Sequence, residues 1–328
     1  MSNVTVHVPV MLGEVIELLD PVSGAVYVDG TIGGGGHTEA IFRKMQMQGT
    51  IIGMDADAAA IDRTETRLKK IFDGNCFANS DNPSNPITTN NNTNRIRFVH
   101  ANYTYLDDAL DLLEIDKVDG ILLDLGLSSD QLADLERGFS FDSCGKLDLR
   151  FDVTEGEPAY ALINRLREDD IANLIFKLSD EPYARRIANK IVTYRKTKQI
   201  ETAIELAEII RGCVPKQWYK QNDKNRPYNS RAIMIDPATK TFQALRIAVN
   251  KELESLEKIL KSAPKRLKQN GKIIIISFHS LEDRIVKNAF KENTDLEIIT
   301  KKPITSSQEE LEKNPRARSA KLRCAAKK

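Results

Sequence analysis

Residues 25–41 read AVYVDGTIGGGGHTEAI, a short β-forming run that ends in an acid, followed by four consecutive glycines, Gly33 to Gly36. Gly can take positive φ and lets another group approach the backbone closely. Apolar strand, glycine-rich turn and helix in that order form a cradle at the carboxyl end of a parallel strand. The feature commits the chain to an α/β fold and raises the question of what lies against that backbone.

The rest of the chain repeats the rhythm. GTIIGMD (49–55), RIRFVHANY (95–103), VDGILLDLG (118–126) and KIIIISF (272–278) are apolar, β-rich runs. Helical stretches alternate with them, among them 57–72, and a further helix precedes the first strand at 8–19. Strands buried on both sides and separated by helices predict a mostly parallel, Rossmann-like sheet. From about 135 to 228 no strong strand is legible, only helical runs near 157–178, 181–196 and 202–213. A helix over 239–263 then resumes the pattern and leads into KIIIISF, so the helical block is inserted in the α/β domain. Expected boundaries are 1–134 and 229–328 for the two parts of the main domain and 135–228 for the all-helical insert. LEIITK (296–301) and AKLRCAA (320–326) read as weak last strands. Residues 75–94 hold eight asparagines and read as a low-complexity loop.

Composition excludes some classes. The apolar runs fall far short of the ~20 residues of a membrane helix, so no membrane association is expected. Cys76, Cys144, Cys213 and Cys324 are scattered without a CxxC pair. That argues against a disulfide framework or a metal cluster and suits a reducing cytoplasm. Net charge is only +1, but cations cluster: residues 184–200 carry six and no acid. Residues 211–231 interleave six cations with Trp218, Tyr219 and Tyr228, and the tail from Asn314 is basic and acid-free. Such segments can grip phosphates and stack bases.

The turn does not follow the phosphate-binding patterns. A dinucleotide loop reads G-x-G-x-x-G and a Walker loop continues Gly-Lys-Ser/Thr; here the order is D-G-T-I-G-G-G-G-H. Asp29 closes the first strand and suits a cationic amine. Asp55 closes the second, where a carboxylate suits ribose hydroxyls. A ligand with a ribose, an amine and no phosphate is S-adenosylmethionine (SAM); a nicotinamide cofactor and a purely structural turn are the alternatives. Asp124 ends the fourth strand, and His279 follows the fifth. Both stand where such sheets place reacting groups.

HVPVMLGEVIELL, DGTIGGGGHT, VDGILLDLGLSSDQL, RGFSF, ARRIANKIV, ATKTFQALRIAVNKEL, ISFHSLEDRIVK and NPRARSAKLR run in order from residue 7 to 323. Together they resemble the bacterial small-subunit (16S) rRNA cytosine-N4-methyltransferases, the MraW or RsmH family. The resemblance implies a SAM-dependent methyltransferase fold with an inserted helical domain. It also implies N4-methylation of one decoding-region cytidine, with the small ribosomal subunit as partner. Carried over by motif, the SAM contacts are Gly35, Gly36, His37, Asp55, Tyr103, Asp124 and Gln131, beside Asp29 and Gly33 of the turn. No Pro-Pro-Tyr shelf follows the fourth strand, so Asp124, Ser128 or Ser129, and His279 are the candidate catalytic groups. Phe139 and Phe141 are candidates to stack on the target base. Candidate RNA contacts are Arg185, Arg186, Lys190 and Arg195 in the insert, with Arg316 and Arg318 in the tail. The sequence departs from the family at Lys146, Leu149 and Phe151, at Asp236 where a His is usual, and at Lys240 where an Arg is usual. Other readings stay open: a nicotinamide oxidoreductase, a SAM-binding subunit-assembly factor without methyl transfer, and an amino-methyltransferase acting on another nucleic acid. A homodimer is also left open.

Overall fold

The computed structural model describes residues 9–72, 76–77, 95–213 and 236–328. Trp218, Tyr219, Tyr228 and nearly all of the Asn-rich stretch lie outside the described residues, as does the side chain of Ser129. The chain divides into two compact units, Met1–Asp130 with Leu253–Lys328, and Gln131–Glu252.

The first unit is built on one eight-stranded sheet. Its strands are β1 (Val26–Asp29), β2 (Thr50–Asp55), β3 (Arg95–His100), β4 (Val118–Asp124), β5 (Leu267–Ser277), β6 (Leu296–Ile298), β7 (Ile304–Thr305) and β8 (Lys321–Lys327). The order is β3-β2-β1-β4-β5-β8-β6, with β7 also paired to β8. β1 to β5 run parallel, and β8 runs antiparallel to β5 and β6. The chain winds outward from β1 through β2 to β3, then crosses to the other side of β1 for β4. That reversal leaves a crevice beyond the carboxyl ends of β1 and β4, where this class of sheet binds its ligands.

The apolar runs are continuous because both sheet faces are covered. Ile274 and Ile276 join one core with Phe42, Met45 and Leu322, while Ile273 and Ile275 join the other with Val28, Leu110 and Ile259. Burying each such side chain stabilises by about 1.5–3 kcal/mol. The helices covering the faces are α1 (Leu12–Leu19), α2 (Gly36–Lys44), α3 (Ala58–Ile71) and α4 (Leu106–Leu112), with α5 (Ser129–Ala133) after β4.

β8 differs from its expected weakness. It is an interior strand of seven residues, with Leu322 and Cys324 fully buried. Its charge is neutralised locally, because Arg323 Nε donates to Asp283 Oδ1 at 2.6 Å.

The second unit contains α6 (Ala159–Arg165), α7 (Glu168–Ser179), α8 (Ala184–Arg195), α9 (Ala203–Arg211) and α10 (Thr239–Asn250). The single run expected near 157–178 is two helices, broken where Leu166 and Arg167 turn extended (ψ 148° and 159°). The run expected over 239–263 is also two helices. Lys251 takes a left-handed φ of 50° between α10 and α11 (Glu252–Ser262). The helical unit therefore extends to Glu252 rather than ending at 228. The remaining helices of the first unit are α12 (Ser280–Glu292) and α13 (Gln308–Lys313). No helix among the described residues is long and apolar enough to cross a membrane.

Candidate functional site

The glycine turn is pinned from both neighbouring strands. Gly30 N–H donates to Leu122 O of β4, and Ile32 N–H to Met54 O of β2, each at 2.9 Å. Gly33 N–H donates to Asp55 Oδ2 at 2.9 Å, and Thr64 donates its hydroxyl proton to Gly33 O. α2 starts at Gly36 rather than near Thr38, so Gly36 and His37 form its first turn.

The glycines at 35 and 36 answer to the protein itself. Gly35 has φ 72°, and a Cβ there would lie 2.4 Å from Thr64 Cγ2. A Cβ on Gly36 would lie 2.9 Å from Pro9 Cγ. At both positions α3 and the segment before α1 already exclude a side chain, whatever the backbone holds. Gly33 is different, since a Cβ there would meet Ser128 Cβ at 3.6 Å, an ordinary contact.

Three strand-end acids face the crevice. Asp29 is 1% exposed and accepts from Thr38 Oγ1 at 2.7 Å and Thr31 N–H at 3.3 Å. Burial lifts its pKa from 3.8 to about 6, against the pull of the Thr38 hydroxyl. Asp55 accepts from Gly33 N–H and Asp57 N–H, one bond on each oxygen. A carboxylate offers about four lone-pair sites, so both oxygens keep capacity for hydroxyl donors. Burial raises Asp55 to about 6 as well.

Asp124 is the exceptional one. Its amide donates to Thr31 Oγ1 at 2.7 Å, which fixes the end of β4 to the turn. Its Oδ1 is buried and has no hydrogen-bond partner among the described residues, although the side chain as a whole keeps 16% exposure. Burial raises its pKa well above 3.8, and the charges of Asp29, Glu282 and Glu310 raise it further. A buried carboxylate surrounded by acids is costly unless a cation joins it.

His37 is buried beside this acid, with Nδ1 3.8 Å from Asp124 Oδ2 and Nε2 3.0 Å from Val10 O. Tyr103 follows β3 in a short 3₁₀ turn and stands beside Gly30, whose added Cβ would lie 3.2 Å from Tyr103 Cβ. Gln131 is 5% exposed and begins the second unit.

His279 has a definite local job. It caps α12, its Nδ1 accepting from Glu282 N–H at 3.4 Å, while Glu282 Oε2 accepts from the His279 amide at 3.2 Å. This reciprocal capping box engages the imidazole in structure, so His279 needs no catalytic role to account for its position. The H-S-L-E spacing carries that signal in the sequence. Thr31, Thr38, Thr64 and Glu310 left no comparable signal, because each acts through a fold-dependent neighbour.

Arg185, Arg186 and Lys190 lie exposed on α8, and none forms an ion pair among the described residues. Arg195 is corrected as an RNA candidate. Its guanidinium donates to Ile163 O and Leu166 O, satisfying carbonyls at the end of α6. Arg316 is half-buried, with burial lowering its pKa and Asp130 opposing that, whereas Arg318 is exposed. Phe139 and Phe141 pack inside the second unit, Phe139 stacked on Phe151 at 6.0 Å and Phe141 edge-on to Phe242 at 5.1 Å. Phe139 is buried, so core packing accounts for it, whereas Phe141 is only half-buried. Asp236, the departure from the family's His, forms a two-bond pair with Arg211 at 2.6 and 2.9 Å. Lys240, the other departure, donates to Asp180 O at 2.9 Å.

Residues 4–328 match the model of the MraW methylase family. A protein of Pelobacter propionicus named Ribosomal RNA small subunit methyltransferase H is 40% identical, covering 98% of each chain. Proteins of the same name are 43% identical in a Sulfurihydrogenibium species, over 97% of each chain, and 38% identical in Clostridioides difficile, over 98% of each. Among solved structures, a putative rRNA-methylase of Clostridium thermocellum aligns over 98% of this chain and 99% of its own, with a TM-score of 0.45 and 13% identity.

Proposed function

This chain belongs to the MraW methylase family, and on that premise we propose that it methylates small-subunit rRNA, transferring a methyl group from SAM to N4 of a decoding-region cytidine. The observation that carries the cofactor reading is Asp124 Oδ1, a buried acceptor without a partner among the described residues, where the neighbouring charges are acidic. The residues fit SAM, which has a cationic amine and sulfonium and no phosphate. They oppose a nicotinamide dinucleotide, whose pyrophosphate would carry negative charge into a field already made negative at Asp124 by Asp29, Glu282 and Glu310. The substrate reading draws on the relatives' names, and the N4 and decoding-region detail on the motif resemblance alone.

SAM supplies an electrophilic methyl group on a sulfonium. Asp55 accepts hydroxyls of the cofactor's ribose with the capacity left on its two oxygens. Asp124 Oδ1 takes a cationic N–H, and Asp29, held by Thr31 and Thr38, adds negative field beneath it. Val10 O accepts the His37 Nε2 proton, which leaves Nδ1 on the side of Asp124. Gly33 stands against Ser128, a candidate catalytic group. A base in folded RNA leaves its stack to reach such a crevice. Arg185, Arg186 and Lys190 supply phosphate contacts, and the reaction belongs in the cytoplasm, where ribosomal subunits assemble.

The test is methyl transfer from labelled SAM to small subunits from cells lacking the enzyme, followed by nucleoside analysis. N4-methylcytidine at one decoding-region site is the expected product, and Asp124→Asn should lose it together with SAM affinity. SAM binding without transfer would support the assembly-factor reading instead.

A further inference from the structure

The segment before α1 and a helix near the other end of the chain meet at the glycine turn. Three successive residues of that segment are fixed. Pro9 packs on Gly36, Val10 O accepts from His37 Nε2 at 3.0 Å, and Met11 N–H donates to Glu310 Oε1 at 2.6 Å. Val10 and Met11 are 7% and 0% exposed. Met11 also takes φ 53°, a left-handed conformation that a non-glycine residue keeps only where its surroundings enforce it.

Glu310 is well placed to enforce it. Its own amide is capped by Ser307 Oγ at 3.2 Å, which holds the first turn of α13. Its carboxylate is therefore not spent on its own helix and reaches a residue 299 positions away. A carbonyl oxygen can only accept, so Val10 O requires the His37 proton on Nε2. The other ring nitrogen then faces Asp124.

We propose that Glu310 is a positioning residue for the cofactor site: through the Met11 amide it holds residues 9–11 on the first turn of α2, and so fixes the His37 ring that stands beside Asp124. Glu310 touches none of the reacting groups. It acts through the arm, and its negative charge adds to the field at Asp124. The inference rests on the reading of this crevice as the SAM site.

Glu310→Ala removes the acceptor, and Glu310→Gln keeps an oxygen in its place. SAM affinity is measured by calorimetry, with amide exchange at residues 10–12 and 36–38 and with turnover at saturating SAM. Loss of a hydrogen bond to a charged group should weaken SAM binding about tenfold in Glu310→Ala. Turnover at saturation should stay within about twofold, because positioning acts on binding rather than on the methyl-transfer step. The arm amides should exchange faster, and Glu310→Gln should recover most of the affinity. Unchanged affinity in Glu310→Ala overturns the proposal, as does a Glu310→Gln variant no better than Ala. If Glu310→Ala does not fold, Gly36→Ala displaces Pro9 from the other side and must reproduce the weakened binding; wild-type affinity there also overturns it. Should the wild-type protein fail to bind SAM, the cofactor reading falls, while amide exchange still reports whether Glu310 holds the arm.

Discussion

Asp29→Asn should make the ligand-free protein more stable at neutral pH while weakening its hold on SAM. Asp29 is 1% exposed, and its pKa rises from 3.8 to about 6 on folding. At about 1.4 kcal/mol per pH unit, keeping it ionised in the fold costs about 3 kcal/mol at pH 7. The sign follows from proton counts. Below pH 3.8 both states are protonated and the group contributes nothing. Between 3.8 and about 6 the native state holds a proton that the unfolded state has released, so stability falls as pH rises, and above 6 the full cost remains. Asn can keep both hydrogen bonds. Its oxygen accepts from Thr31 N–H, and its amide donates to the Thr38 hydroxyl, which can reverse its role. The assay is thermal unfolding of the ligand-free protein between pH 4 and 7.5. The variant should gain roughly 5–10 °C at pH 7 and converge on wild type near pH 4. SAM affinity, measured alongside, should fall. A variant less stable at pH 7, or an advantage that does not shrink with acid, would refute the argument that Asp29 is held ionised at a cost.

Further outcomes are expected elsewhere in the chain. Gly35→Ala should destabilise by about 1–3 kcal/mol, from the positive φ and the 2.4 Å clash with Thr64 Cγ2. Thr64→Ser, which keeps the hydroxyl bonded to Gly33 O, should recover part of that loss in the double variant, as denaturant unfolding would show. Removing Arg185, Arg186 and Lys190 together should flatten the salt dependence of small-subunit binding, by about one logarithmic unit of slope for each phosphate no longer neutralised. Arg195→Ala should instead lower the unfolding temperature, because it strands two carbonyls at the end of α6.

The parallel core was legible because its strands are apolar on both faces, and a run such as KIIIISF admits no amphipathic alternative. β8 was hard to read for the opposite reason. Lys321 and Arg323 interrupt its apolar alternation, and only the fold brings Asp283 to neutralise them. That Asp29, Asp55 and Asp124 close neighbouring parallel strands was legible from position, since each ends an apolar run. Their partners were not: Thr38 is an ordinary helix residue until α2 packs against the turn and brings its hydroxyl to Asp29. Local charge misled at Arg195. It lies in the same basic run as Arg185 and Lys190, but carbonyls 29 and 32 residues earlier claim its guanidinium.

The same atoms account for both cost and selectivity at the crevice. A site for a neutral or anionic ligand would gain from Asn at 29 and 124, because both acids are raised by burial and repel one another. Retaining carboxylates that the fold disfavours makes sense where the ligand brings the missing positive charge. Asp124 Oδ1, buried without a partner among the described residues, is where that charge is needed most. Asp29 cannot fill the role alone, since at 1% exposure it lies beneath the surface that a ligand reaches. The two acids thus divide the work, Asp124 as the contact and Asp29 as fixed field. The glycines, which first suggested a cradle, serve to let α3 and Pro9 pack directly against the turn that carries those carboxylates.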